Sequence, residues 1–286
     1  MTESGIYLYA VTSEAGDACL SVRGVLGEPV RKIGVGDLAA YVSTVPLDQF
    51  GEEPLARLLE DLDWVGEVAR AHHRVVEAVA EAGPTAPVRL VTVYSGEEQV
   101  RELLERRHDD FLAVLSRVAG RREWGVKAYV DPEAASRMAG GGTAGGDASA
   151  RREAPAGRTG AGPGTAYLQR RKANLHNRED LWRHAVAWAE RLHAALGEVA
   201  VAGRRHRPQD PQLSGRKEWM VLNGAYLVEE DRSAEFAAAV AAFREAATES
   251  GTGAGPGMDV ELTGPWAPYS FTAVELETEG REGGAR

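Results

Sequence analysis

Cysteine is almost absent from this chain: its 286 residues include one, Cys19. A single thiol excludes an internal disulfide, and Cys19, between Ala18 and Leu20 with no histidine near it in sequence, reads as a small packing residue rather than a nucleophile. Long apolar runs are also missing; none approaches the roughly 18 to 20 residues that a membrane span requires. With no charged-then-apolar leader at the start, the expected compartment is the reducing cytoplasm. Positive charge is in deficit, since 33 Lys and Arg face 43 Asp and Glu for a formal charge of -10, which disfavours nucleic acid as a partner. The chain has no G-x-x-x-x-G-K-[ST] phosphate loop, G-x-S-x-G elbow, H-E-x-x-H or C-x-x-C. Gly34-Val35-Gly36-Asp37-Leu38-Ala39 matches a dinucleotide fingerprint in letters. The β-rich run after it ends at Pro46, so a hairpin turn fits better than a helix N-terminus on a pyrophosphate. No catalytic, cofactor-binding or metal-ligating residue is assigned, and no cofactor is expected.

What is present reads as α+β in two domains. Residues 6–11 are β-branched, aromatic and uninterrupted, the pattern of a central strand buried on both faces. Residues 30–33 and 38–45 form a hairpin. From Pro54 to Gly83, Leu55, Leu58, Leu62, Val65, Ala69, His72, Val76 and Val79 recur in steps of three and four, which predicts one continuous amphipathic helix. A strand over 88–94 leads through Ser95, as N-cap, into a helix carrying Val100, Leu104, Phe111, Leu115 and Val118. The second half reads as a strand at 124–130, a long helix at 165–196 with Trp182, Ala185, Ala189, Leu192 and Leu196 on one face, and strands at 198–202 and 218–228. A helix at 233–247 and a strand at 258–262 complete it. That order is βαββαβ, the split βαβ arrangement of ferredoxin-like folds. The expected domains are residues 1–122 and 123–278, with a disordered Gly-rich insertion at 139–164, a returning segment at 263–278 and a disordered tail at 279–286.

Among candidate functional residues, His72 falls on the apolar stripe and reads as a packing position, with a pH-sensitive or ligand role as the other reading. Adjacent His73 points about 100° away, so the two cannot clamp one metal ion. His176, His184 and His193 read as surface residues, and the cluster Arg204-Arg205-His206-Arg207 as a solvated loop. In the stretch at 262–271, Pro265 and Pro268 bracket Trp266 and fix an extended, rigid course.

This stretch, Leu-Thr-Gly-Pro-Trp-Ala-Pro-Tyr-Ser-Phe, resembles the closing motif of the gas vesicle protein F/L family, typically T-G-P-W-P-P-Y-S-F, with Ala267 in place of the first proline of the pair. The resemblance continues through residues 5–9, 87–94, 123–127 and 164–168, with Leu90-Val91 where the family usually has a phenylalanine-glycine pair. It implies an N-terminal α+β domain, a C-terminal modified ferredoxin-like domain and no catalytic residues. It also implies a role in forming gas vesicles, as a helper or minor component that contacts the small hydrophobic shell protein and other accessory proteins. On that reading the protein is at the gas vesicle or in the cytoplasm. It binds the major shell protein and limits its aggregation or aids its incorporation, with Pro265, Trp266 and Tyr269 as first candidates for contact. The alternatives are a permanent component of the vesicle wall and, remotely, an enzyme holding a small ligand or metal. For Trp266 and Tyr269 the competing expectation is that they pin the C-terminal segment onto the first domain.

Overall fold

The computed structural model describes residues 3–13, 21–131, 163–209, 216–248 and 257–272, with the backbone alone over 163–178. Cys19, the insertion up to residue 162, His176 and the tail lie outside the described residues or side chains. The chain is a mixture of helix and strand built on two four-stranded sheets. It divides into two compact units: Met1–Glu123 together with the stretch from Pro265 onward, and Trp124–Gly264.

The first unit contains β1 (Ser4–Ser13), β2 (Arg31–Val35), β3 (Leu38–Pro46), α1 (Leu47–Phe50), α2 (Glu52–Leu58), α3 (Leu62–Ala82), β4 (Thr85–Tyr94), α4 (Glu97–Arg106) and α5 (His108–Val118). Its sheet order is β2-β3-β1-β4, so β1 is interior, as its composition requires. Ile6 and Leu8 enter one core with Leu104, Phe111 and Leu115, while Tyr7 and Tyr9 enter another with Val68, Val75 and Val79 of α3. A register shift between Leu8 and Ala10 in β1 places Tyr9 and Ala10 in the same core before the alternation resumes with Val11. The hairpin closes through Gly36 and Asp37, and the fingerprint letters are a two-residue turn with Gly36 at φ 58°.

The expected single helix from Pro54 to Gly83 is two helices. The break falls at residues 59–61, where Asp61 Oδ1 accepts the N–H groups of Asp63 and Trp64 (3.0 and 3.2 Å) and caps α3. The buried face of α3 is Val68, Ala71, His72, Val75, Val76 and Val79, and α2 has no buried residue. The next helix also splits, into α4 and α5. Its N-cap is Gly96 rather than Ser95, whose N–H and Oγ–H both donate to Gln99 Oε1 at 2.9 Å.

The second unit is built on β5 (Arg121–Val130), α6 (Pro163–Val199), β6 (Ala202–Arg205), β7 (Trp219–Glu229), α7 (Ser233–Thr248) and β8 (Met258–Trp266), in the sheet order β6-β7-β5-β8. Pro163 and Gly164, placed in the insertion from sequence, open α6. The strand expected at 198–202 begins only at Ala202, because the helix runs on to Val199. Ala185, Trp188, Ala189, Leu192 and Leu196 of α6 pack with Phe236 and Val240 of α7 against Val126, Ala128, Leu222, Tyr226 and Val260. Trp182, expected inside, is exposed; Trp188 takes the core position and Trp182 meets Trp219 edge-on. His193, expected at the surface, is half-buried with Nδ1 2.7 Å from the Tyr226 hydroxyl. Arg204 and Arg205 belong to β6, not a loop, and Arg205 pairs with Glu190.

Candidate functional site

In the first unit the outward turns of α3 carry the C-terminal segment. On the inward side of that helix, Tyr7 holds the polar part of the core. Its hydroxyl accepts the Val91 N–H at 3.1 Å and lies 3.0 Å from His72 Nδ1. A backbone N–H can only donate, which leaves the phenolic proton free for Nδ1; in the tautomer that accepts it, the imidazole carries its own proton on Nε2. That Nε2 is buried without a hydrogen bond of ordinary geometry. Burial pushes the His72 pKa down from 6.5 to about 4, against a smaller upward pull from the Val88 carbonyl, so the ring is neutral near pH 7. His72 is therefore a core residue with a polar anchor.

Val91 pays its N–H to Tyr7 from an unusual backbone. Between Leu8 and Ala10 of β1 the partner strand advances from Thr92 to Pro87, leaving 88–91 as a bulge in β4 that Thr92 Oγ1 closes onto the Arg89 carbonyl at 2.9 Å. Val91 sits there at φ 61°. This is the left-handed region, which disfavours a β-branched residue and suits the glycine usual at this place.

Over the outer turns of α3 runs the segment from Pro265 to Thr272, and its backbone is gripped by side chains. Glu77 Oε1 accepts the Ala267 N–H at 2.8 Å while Oε2 accepts from Arg122 Nη2 at 2.8 Å. Glu123 accepts both the N–H and the hydroxyl of Ser270, at 2.7 and 2.6 Å. Arg117 Nη2 donates to the Phe271 carbonyl at 2.6 Å, and Thr272 Oγ1 reaches the Pro87 carbonyl at 3.4 Å. Ala267 and Phe271 are buried. A proline at 267, usual in the motif, has no N–H to give Glu77, so Ala267 adds a hydrogen bond that the usual residue cannot make.

Of the three residues singled out in sequence, Pro265 is exposed and Trp266 retains 41% of its surface, its indole edge-on to His73 at 5.2 Å. Tyr269 is different. Its half-buried ring lies 6.3 Å from both His72 and His73, and burial, then Glu77, Tyr7 and Glu123, hold its phenol pKa well above the ordinary value. Tyr269 thus packs against α3 and helps to hold the segment, while Pro265 and Trp266 are exposed.

The family model for gas vesicle synthesis protein GvpL/GvpF matches residues 5–273. The chain belongs to the GvpL/GvpF family. A gas vesicle protein L of Streptomyces sp. (strain CB03234) is 42% identical over 273 residues, covering 95% of this chain and 94% of the relative. A gas vesicle protein F of the same strain is 27% identical, covering 93% and 98%. The crystal structure of GvpF from Anabaena sp. PCC7120 superposes with a TM-score of 0.64 at 18% identity, covering 95% of this chain and 97% of that one. GvpF from Microcystis aeruginosa gives 0.61 at 18% identity. These structural likenesses establish the shared fold.

Sequence reasoning on this GvpL/GvpF chain missed Glu77, Arg117, Arg122 and Glu123, which hold the segment. In letters they are ordinary charged residues, distinguished only by the contacts of Glu77, Arg117 and Glu123 with the segment across 147 to 190 positions and by the bond of Arg122 to Glu77 across 45. Among the described residues no group of three or more His, Cys, Asp or Glu is placed to hold a metal ion, and no helix is long and apolar enough to cross a membrane.

Proposed function

We propose that this GvpL/GvpF protein is an assembly factor rather than an enzyme, one that binds the hydrophobic gas vesicle shell protein and keeps it from aggregating before it enters the wall. The observation that carries this reading is the exposed Pro265-Trp266 pair on a backbone held by Glu77, Glu123 and Arg117. A large aromatic surface that stays in water while its backbone is fixed loses little further entropy on binding, which favours contact with an apolar partner. Other gas vesicle accessory proteins are further partners on this reading, and the place of action is the vesicle and the cytoplasm around it. The order β6-β7-β5-β8 with its βαββαβ connectivity supports a ferredoxin-like second domain.

Strand addition, another route to an apolar β-rich partner, is less favoured at β8. Arg244 donates from Nε and Nη2 to the Val260 carbonyl (3.0 and 2.6 Å), filling its acceptor capacity, and the opposite edge strand β6 is only four residues long. The test is a Trp266→Ala variant. Its stability should fall by only about 1 kcal/mol, since the indole is partly in water, while recovery of shell protein in a pull-down drops. A variant that binds as well as the parent would remove Trp266 from the contact surface.

A further inference from the structure

The helical stripe that fails to become core is the starting point. Leu55, Leu58 and Leu62 have the spacing of a buried face, yet α2 contains no buried residue and packs chiefly on the four-residue α1. Leu59 is 47% exposed and Leu62, the first residue of α3, is 80% exposed, while Leu55 and Leu58 are half-buried. A seven-residue helix is far below the length that holds itself together in water, so partial cover over Leu55 and Leu58, with Leu59 and Leu62 open beside them, leaves room for a further partner. Single exposed leucines are ordinary, but Leu59 and Leu62, open at the two ends of one helix break with half-buried Leu58 beside them, form a patch.

The surrounding charge selects the occupant. Residues 47–67 carry Asp48, Glu52, Glu53, Glu60, Asp61, Asp63 and Glu67 against the single cation Arg57. All seven of these acidic residues are exposed. An apolar stripe rimmed by carboxylates is complementary to a helix whose leucine-like stripe is rimmed by lysine or arginine. Leu62 and His73 are eleven residues apart, three helical turns, and so share one face of α3 about 16 Å long, at whose far end His73 meets Trp266.

We infer that the leucine face of α2 and the start of α3 is a docking site for a basic amphipathic helix of a protein partner. It extends beyond the shell-protein reading and stands if that reading fails. The probe is a fluorescein-labelled amphipathic helix of leucine and lysine, titrated by anisotropy against the full chain. A peptide of the same composition, scrambled to destroy the stripe, is the control. The intact stripe should bind at least about tenfold tighter than the scrambled peptide. A Leu59→Ser/Leu62→Ser variant, altered only at exposed side chains, should lose about tenfold in affinity with an unchanged melting curve. Glu60→Gln/Glu67→Gln should weaken binding and flatten its salt dependence, and hydrogen exchange should show protection over 52–67. Equal binding of both peptides, or full binding by the leucine variant, overturns the site. So does a chain that self-associates through these leucines and that the peptide cannot displace, because the occupant is then a second copy.

Discussion

His72 is where burial and charge conflict most sharply. A histidine whose folded pKa lies near 4, against 6.5 when unfolded, favours the folded state fully above pH 6.5. As the pH falls, the unfolded chain takes up the proton first, so this contribution drains away between pH 6.5 and about 4. The full span corresponds to about 3 kcal/mol. A His72→Asn variant, which keeps an acceptor near the Nδ1 position and does not titrate, should lose stability less steeply over that window; parallel thermal melts of variant and parent across it provide the check. Val91 gives a second test. Left-handed strain of about 1–2 kcal/mol on a β-branched residue is relieved by glycine, offsetting much of the lost packing and the added chain entropy. Val91→Gly should therefore cost about 1 kcal/mol or less, whereas Val93→Gly, two residues on in the same strand and equally half-buried, should cost about 2 kcal/mol. Chemical denaturation of the two variants side by side measures the difference. The sequence held a sign of this, since the departure at Leu90-Val91 coincides with the bulge, but no letter pattern tells how the backbone turns there.

At the scale of elements, the interior strand β1 and the central helices were legible because composition and period agree: residues 6–11 are apolar at every position, and α3 has its buried stripe from Val68 to Val79. The helix break at residues 59–61 was not. Periodicity runs straight through it, and what stops the helix is the local bonding of Asp61, which competes with the stripe without disturbing its spacing. The same competition explains Ser95, which reads as an N-cap but binds Gln99 instead. The C-terminal segment was legible as rigid, from its prolines, and illegible as to its seat. Glu77 touches both the segment and Arg122. Glu77→Ala removes the acceptor of the Ala267 N–H and the carboxylate that pairs with the largely buried Arg122, which keeps only its bond to the Ala80 carbonyl among the described residues, at a cost of about 2–3 kcal/mol. Hydrogen exchange should then show loss of protection over 265–272 while β1 stays protected. Unchanged exchange in the segment would mean that Glu123 and Arg117 suffice to hold it.

For the whole molecule, the order of elements in the second half followed from periodicity, because the longer helices and strands there carry an apolar face, whereas β6, Ala-Gly-Arg-Arg, carries none and was misplaced. The placement of Trp182 outside and Trp188 inside did not follow, since both lie near the same stripe and only packing against Phe243 separates them. The family is fixed by the match over residues 5–273, and on the proposed reading the exposed Pro265 and Trp266 of the closing motif are the surface with which it acts. The most direct measurement is recovery of the gas vesicle shell protein on the immobilised full chain, run beside the folded Trp266→Ala variant. The account predicts shell protein retained by the parent and largely lost from the variant. A parent chain that is folded and retains none would contradict it.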